Sequence, residues 1–184
     1  MAVPQRDPAL RRLLLIGLVG AAVSLTLGIY ANAHTPSSDL AITLGFTNTI
    51  TMKVWLTTLA LLFAVIQLIT ALWMYGKLPL GPAPAGLGNV HRISGRIAFL
   101  VSLPVAYHCL YQLGWQHTST RVLMHSIFGC LFYGAFAVKV LIVRSRGLPS
   151  VALPIAGGLV FVILVYIWLS AGLWYIDKLG FPSP

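Results

Sequence analysis

Residues 151–176 read VALPIAGGLVFVILVYIWLSAGLWYI, without one charged side chain. A helix that crosses the hydrocarbon of a bilayer needs about 20 consecutive apolar residues, and this stretch exceeds that. Working outward, four more runs of the same kind occupy residues 10–31, 52–75, 90–115 and 121–143. None alternates apolar and polar residues as a barrel strand would. Only helices and closed barrels satisfy their backbone in lipid, so all five are expected as helices. The composition points the same way, at 58% hydrophobic and 8% charged, where soluble domains are about a quarter charged. An ordinary soluble enzyme, a disordered tail and a secreted disulfide scaffold are thereby excluded. The expected fold is all-α: one integral membrane bundle of five transmembrane helices over residues 1–184.

Twelve Lys and Arg stand against three acidic residues, a net charge of +9. A nucleic-acid surface would gather these cations on one wet face. Here they fall at the ends of apolar runs, so no nucleic-acid partner is expected and the lipid membrane is. If the N-terminus is cytoplasmic, the inner side holds Arg6, Arg11, Arg12, Lys77, Arg92, Arg96, Lys139, Arg144 and Arg146. Only Lys53, Arg121 and Lys178 remain outside. That asymmetry predicts the N-terminus inside and the C-terminus outside, in what reads as a bacterial plasma membrane. Tyr30, Trp55, Trp73, Tyr75, Trp115, Trp174 and Tyr175 sit near the run ends, where an interfacial belt belongs.

The first run has a second reading. The segment carries basic Arg6, Arg11 and Arg12, then an apolar stretch, then Ala31-Asn32-Ala33, a pattern resembling a signal peptide. Its length favours a retained helix. The segment 76–89, with Pro79, Pro82 and Pro84, reads as a semi-rigid linker, and Asn89 as the N-cap of the third helix. No loop is long enough for a soluble catalytic domain, so chemistry belongs in the bundle or on a partner.

No phosphate-cradling loop and no metal motif with two ligands at i, i+4 occurs. Asp7, Asp39 and Asp177 all lie at or beyond run ends. A proton-coupled transporter usually carries an acidic or His relay within the membrane, and no carboxylate here can serve. Cys109 and Cys130 lie within runs, are not a CxxC pair, and read as buried thiols.

Five histidines remain, and ionisable side chains within spans usually mark function. His108 lies about 10 Å below the end of the third run, and His125 about 6 Å below the start of the fourth, at about 1.5 Å per residue. The turn between them is short, so the two helices are expected as antiparallel neighbours with imidazoles at one depth. Zinc would need two more ligands. An iron porphyrin supplies four nitrogens itself, which suits a pair of axial imidazoles. Gly129, one turn from His125, leaves room for a flat ring, and Pro104 can re-aim His108. Arg121, or secondarily Lys53, could pair a haem propionate. His91 is too far along the helix to share that site, so a second haem is not expected. It reads as an interfacial residue, or else as an inner ligand or quinone contact. His34 is a reserve axial ligand or rim residue, and His117 is expected in solvent.

The stretch His91-Arg-Ile-Ser-Gly-Arg through Tyr107-His108, followed by Met124-His125-Ser126-Ile127-Phe128-Gly129, resembles the b-type haem membrane proteins in the broad cytochrome b561-like and ferric-reductase-like sense. The likeness covers two of the five helices. It implies single-electron transfer between haems, quinols, ascorbate or metal ions. Such families place His pairs near both faces, whereas here the second run has no His. The combined expectation is one bis-His haem b near the outer face. It would exchange electrons with a quinol or an extracytoplasmic redox subunit, in a homo- or hetero-oligomer. With both axial positions filled by protein, a carrier is expected rather than an oxidase. A non-redox scaffold or accessory subunit, and a small transporter, are the alternatives.

Overall fold

The computed structural model describes residues 7–183, so Arg6 lies outside the described residues. The fold is all-helical, and five helices are long and apolar enough to cross a membrane. They are α1 (Pro8–Ala33), α2 (Thr49–Met74), α3 (Leu87–Tyr107), α4 (Thr120–Arg144) and α5 (Ala152–Trp168). A π-helical segment, His108–Leu113, prolongs α3. A second, Leu169–Leu173, carries α5 into α6 (Trp174–Leu179). The helical bounds differ from the apolar runs by a few residues because caps, and not hydropathy, set them.

Three starts show this. The Asp7 carboxylate accepts from the Ala9 N–H at 2.9 Å, with Pro8 in the first turn where its missing donor costs nothing. The Asn48 side chain accepts from the N–H groups of Ile50 and Thr51, both at 2.9 Å. Ser119 accepts from the Val122 N–H at 3.3 Å. The third helix departs from the expected cap. It starts after Gly86, whose φ of +92° makes the reversal, so Asn89 already lies inside the helix. Its side-chain oxygen accepts from the Arg92 guanidinium instead.

The helices form a ring. α1 packs on α4, α4 on α5, α5 on α2 and α2 on α3, and the π segment of α3 touches α1 to close the circle. Small residues set the α1–α4 crossing. A Cβ built on Gly20 would fall 2.9 Å from the Gly134 carbonyl oxygen, a backbone-to-backbone approach of the kind membrane helices use. Ala64, Phe132, Ala135, Ile163 and Leu164 form the apolar contact of α2, α4 and α5. Between α2 and α3 the contact is polar. The Gln67 amide donates to the His91 carbonyl and, at 2.8 Å, to the Ser94 hydroxyl, while Thr70 Oγ1 lies 2.8 Å from His91 Nδ1. Large apolar residues such as Leu18, Ile29 and Val162 point outward and stay exposed, a surface that water would penalise and hydrocarbon would not.

The expected pairing of α3 with α4 is not formed. Their backbones hardly approach one another. The link Gly114 to Ser119 can reach about 20 Å, and it crosses over the end of α1. The Trp115 N–H donates to the Ala31 carbonyl at 2.8 Å, and Gly114 turns there with φ +67°. α1 therefore stands between α3 and α4 at this end. Further along, long side chains bridge the gap: Phe99 stacks on Phe136 at 4.3 Å, and the hydroxyls of Ser102 and Tyr133 lie 3.0 Å apart.

Candidate functional site

Beyond the Ser102–Tyr133 bridge, at the end of the ring that carries residues 34–48, the centre of the bundle is open. A cavity of about 380 Å³ lies there, with walls from all five long helices. That volume is within the range of small-molecule and cofactor sites. The walls are mostly apolar. Four of the residues named from the sequence face this one chamber: Lys53 of α2, and Arg121, His125 and Gly129 of α4. A Cβ built on Gly129 would meet nothing within 4 Å, so the bare glycine widens the space.

The chamber is cationic. Among the described residues its lining includes no carboxylate, and the ion pair found is between the exposed residues Lys178 and Asp177 at 3.2 Å. Arg121 donates to the Ser170 carbonyl and lies over the Trp174 ring at 4.0 Å. These contacts position the guanidinium without neutralising it. The π segment of α5 presents that Ser170 carbonyl sideways, a use common to π-bulges at functional sites.

His125 is prepared for a ligand by the same serine. The Ser170 hydroxyl donates to the Ile167 carbonyl at 3.0 Å, which uses its one proton. With the hydroxyl proton so placed, His125 Nδ1, 2.9 Å from that hydroxyl oxygen, is assigned as the donor. In a neutral imidazole this leaves Nε2 with the lone pair. A ring whose one N–H is anchored and whose other nitrogen is free is the arrangement metal-binding histidines adopt.

His108 is differently committed, which corrects the expected His108–His125 pair. It is wholly buried but does not line the chamber. Its Nε2 lies 2.6 Å from the Ile42 carbonyl, an acceptor only, so Nε2 carries the proton. Its Nδ1 contacts the Gln112 side-chain amide. The Gln112 Nε2 is otherwise buried without a partner. Turning that amide end for end, as its near-symmetry allows, lets its N–H donate to Nδ1. Both imidazole nitrogens are then used, and the ring holds the loop 34–48 down.

The reserve ligands lie elsewhere too. His34 stacks between Tyr30 and Tyr111, at 5.1 and 4.6 Å, with a buried Nε2 that has no partner among the described residues. His91 is held by Thr70 near the opposite end of α3. His117 is exposed. Among the described residues no group of three or more His, Cys, Asp or Glu side chains gathers to hold a metal ion. Cys109 and Cys130 are free thiols on the chamber wall.

Measured against a b-type haem, the chamber offers one imidazole with a free lone pair, two cations for acid groups and a bare glycine beside them. It does not offer a second axial imidazole. Sequence reading missed Ser170 and Trp115. Ser170 was detectable as a polar residue in the middle of an uncharged run. Trp115 looked like one more interfacial aromatic. No curated protein and no solved structure matches the chain. A family model does match, over residues 13–183, and the chain therefore belongs to DUF6529, a family of unknown function.

Proposed function

We propose that this protein holds one acid-bearing amphiphile in its central chamber, and that this ligand is a b-type haem serving single-electron transfer in the membrane. One observation carries the reading: a lone-pair imidazole nitrogen, two cations without an anionic partner and a bare glycine all face the same apolar space. His125 Nε2 would hold the iron, and Ser170 would keep its ring in the binding tautomer. Lys53 and Arg121 would take the acid groups by charge-assisted hydrogen bonds. Gly129 would give a flat ring its room, and the apolar walls would keep water from it. Bound there, a haem supplies a one-electron iron couple. With the N-terminus cytoplasmic, the chamber sits in the outer half of the bilayer, toward a quinol or an extracytoplasmic redox subunit. A single protein ligand replaces the bis-His site expected from the sequence, so filled axial positions no longer argue for a pure carrier.

A second reading is an anionic lipid without iron, favoured by the apolar walls and the single imidazole. Absorption of the purified protein, with organic extraction and mass spectrometry of what co-purifies, decides between them. A Soret band that His125→Ala abolishes and His108→Ala leaves supports the haem. A phospholipid without pigment supports the second reading. An empty chamber in both assays overturns the two and leaves a scaffold.

A further inference from the structure

The chamber wall is thin on one side. A groove of about 430 Å³ runs along the outer surface of the bundle between α1 and α4. Leu25, Ile29 and Leu131 form its apolar sides, and no charged residue lines it. Trp115 and Cys130 border both this groove and the chamber, so one indole and one thiol form the partition. On α1 the facing position is Gly28. A Cβ built there would lie 3.7 Å from Trp115 Cζ3 and 4.0 Å from Cys130 Sγ, so the groove passes over bare backbone at the partition. Trp115 is tied through its main chain to Ala31 at 2.8 Å. The indole N–H groups of Trp55, Trp73 and Trp168 are hydrogen-bonded, whereas those of Trp115 and Trp174 make no such bond among the described residues, and Trp174 is covered by the Arg121 guanidinium. The Trp115 main chain is anchored, and its ring is held by packing without a hydrogen bond among the described residues.

We propose that this groove is the chamber's opening to the hydrocarbon phase, that Trp115 is its door, and that its occupant is the apolar tail of an acidic amphiphile whose head reaches Lys53 and Arg121. The proposal rests on the acid-binding chamber proposed above in its lipid form, since a haem has no tail to lay in the groove, and it adds a route and a chemical class. Charge selects the class. A neutral lipid would leave both chamber cations unmatched, and a small water-soluble anion would gain nothing from an uncharged, apolar groove. An amphiphile dissolved in the bilayer satisfies both halves. Swinging one indole costs a rotamer change, not a helix movement.

The two cysteines make the route measurable without knowing the ligand. Cys109 lines the chamber and not the groove. In full-length protein carrying Cys130→Ser, reconstituted in lipid nanodiscs, Cys109 is the only thiol. A lipid-dissolved maleimide should label it, and a charged, water-soluble maleimide should not. Trp115→Ala should raise the lipid-phase rate several-fold, and Gly28→Leu, which fills the groove, should lower it several-fold. The opposite signs separate a door from a general loosening of the fold. Labelling by the charged reagent, rates indifferent to both substitutions, or no labelling from either phase overturns the lateral route. The ligand reading fails separately, when nothing co-purifies although the label still enters from the lipid.

Discussion

Ser170 and His125 sit on different helices, yet the serine decides what the histidine can do. The Ser170 hydroxyl spends its proton on the Ile167 carbonyl at 3.0 Å and so accepts from His125 Nδ1 at 2.9 Å. The free lone pair at Nε2 follows from this pair of bonds. Substituting such supporting residues typically costs about 10–100-fold in metal affinity. Ser170→Ala is expected to weaken the chamber's ligand by about that factor, read by titration into apoprotein, and Ser170→Thr should restore it. Equal affinity in Ser170→Ala would mean the tautomer does not matter.

Lys53 and Arg121 should behave differently although both face the chamber. Arg121 also holds the Ser170 carbonyl and the Trp174 ring. Lys53→Gln is expected to weaken an acidic ligand and leave the melting temperature in detergent unchanged. Arg121→Gln should lower both, because it removes a hydrogen bond to a buried carbonyl, at about 1–3 kcal/mol. A melting temperature that Arg121→Gln leaves intact contradicts this division.

Two glycines of α4 give opposite expectations. A Cβ on Gly134 would run into the Gly20 carbonyl and the Ser24 hydroxyl, whereas one on Gly129 meets open space. Gly134→Ala should destabilise the fold by about 1–3 kcal/mol, the usual cost of overpacking. Gly129→Ala should melt like the parent. Gly129→Leu should melt similarly yet lose the ligand, since its side chain would project into the chamber. Thermal unfolding in detergent with a ligand assay reads both, and matching melts for the two alanine variants would refute the packing account.

His108 is assigned to the loop and not to a ligand. His108→Ala removes the partner of the Ile42 carbonyl and should loosen residues 34–48, seen as faster proteolysis there, while the chamber's ligand stays bound. Loss of the ligand with an unchanged loop would return His108 to the axial role expected from the sequence.

Hydropathy made the five helices legible, because hydrocarbon-crossing length and backbone satisfaction leave one solution for long uncharged runs. His125 stood out as an ionisable group within a run, and one-turn spacing from it singled out Arg121 and Gly129, which with Lys53 line one chamber in the structure. Which helices are neighbours was not legible. The short link after His108 suggested that α3 lies beside α4, but a few extended residues span an intervening helix, and α1 occupies that place. The placement of His108 away from His125 has the same origin: spacing along a helix gives depth, while the direction of a ring depends on which acceptors surround it. Composition and patterning required an all-helical, apolar chain with cations near the ends of its apolar runs and a few costly polar groups inside. Only packing between segments shows that the helices close into a ring around a chamber, and that one imidazole keeps a lone pair while the other has none to spare. Apolar periodicity is a property of each segment separately, whereas enclosure and hydrogen-bond partnership exist only between segments.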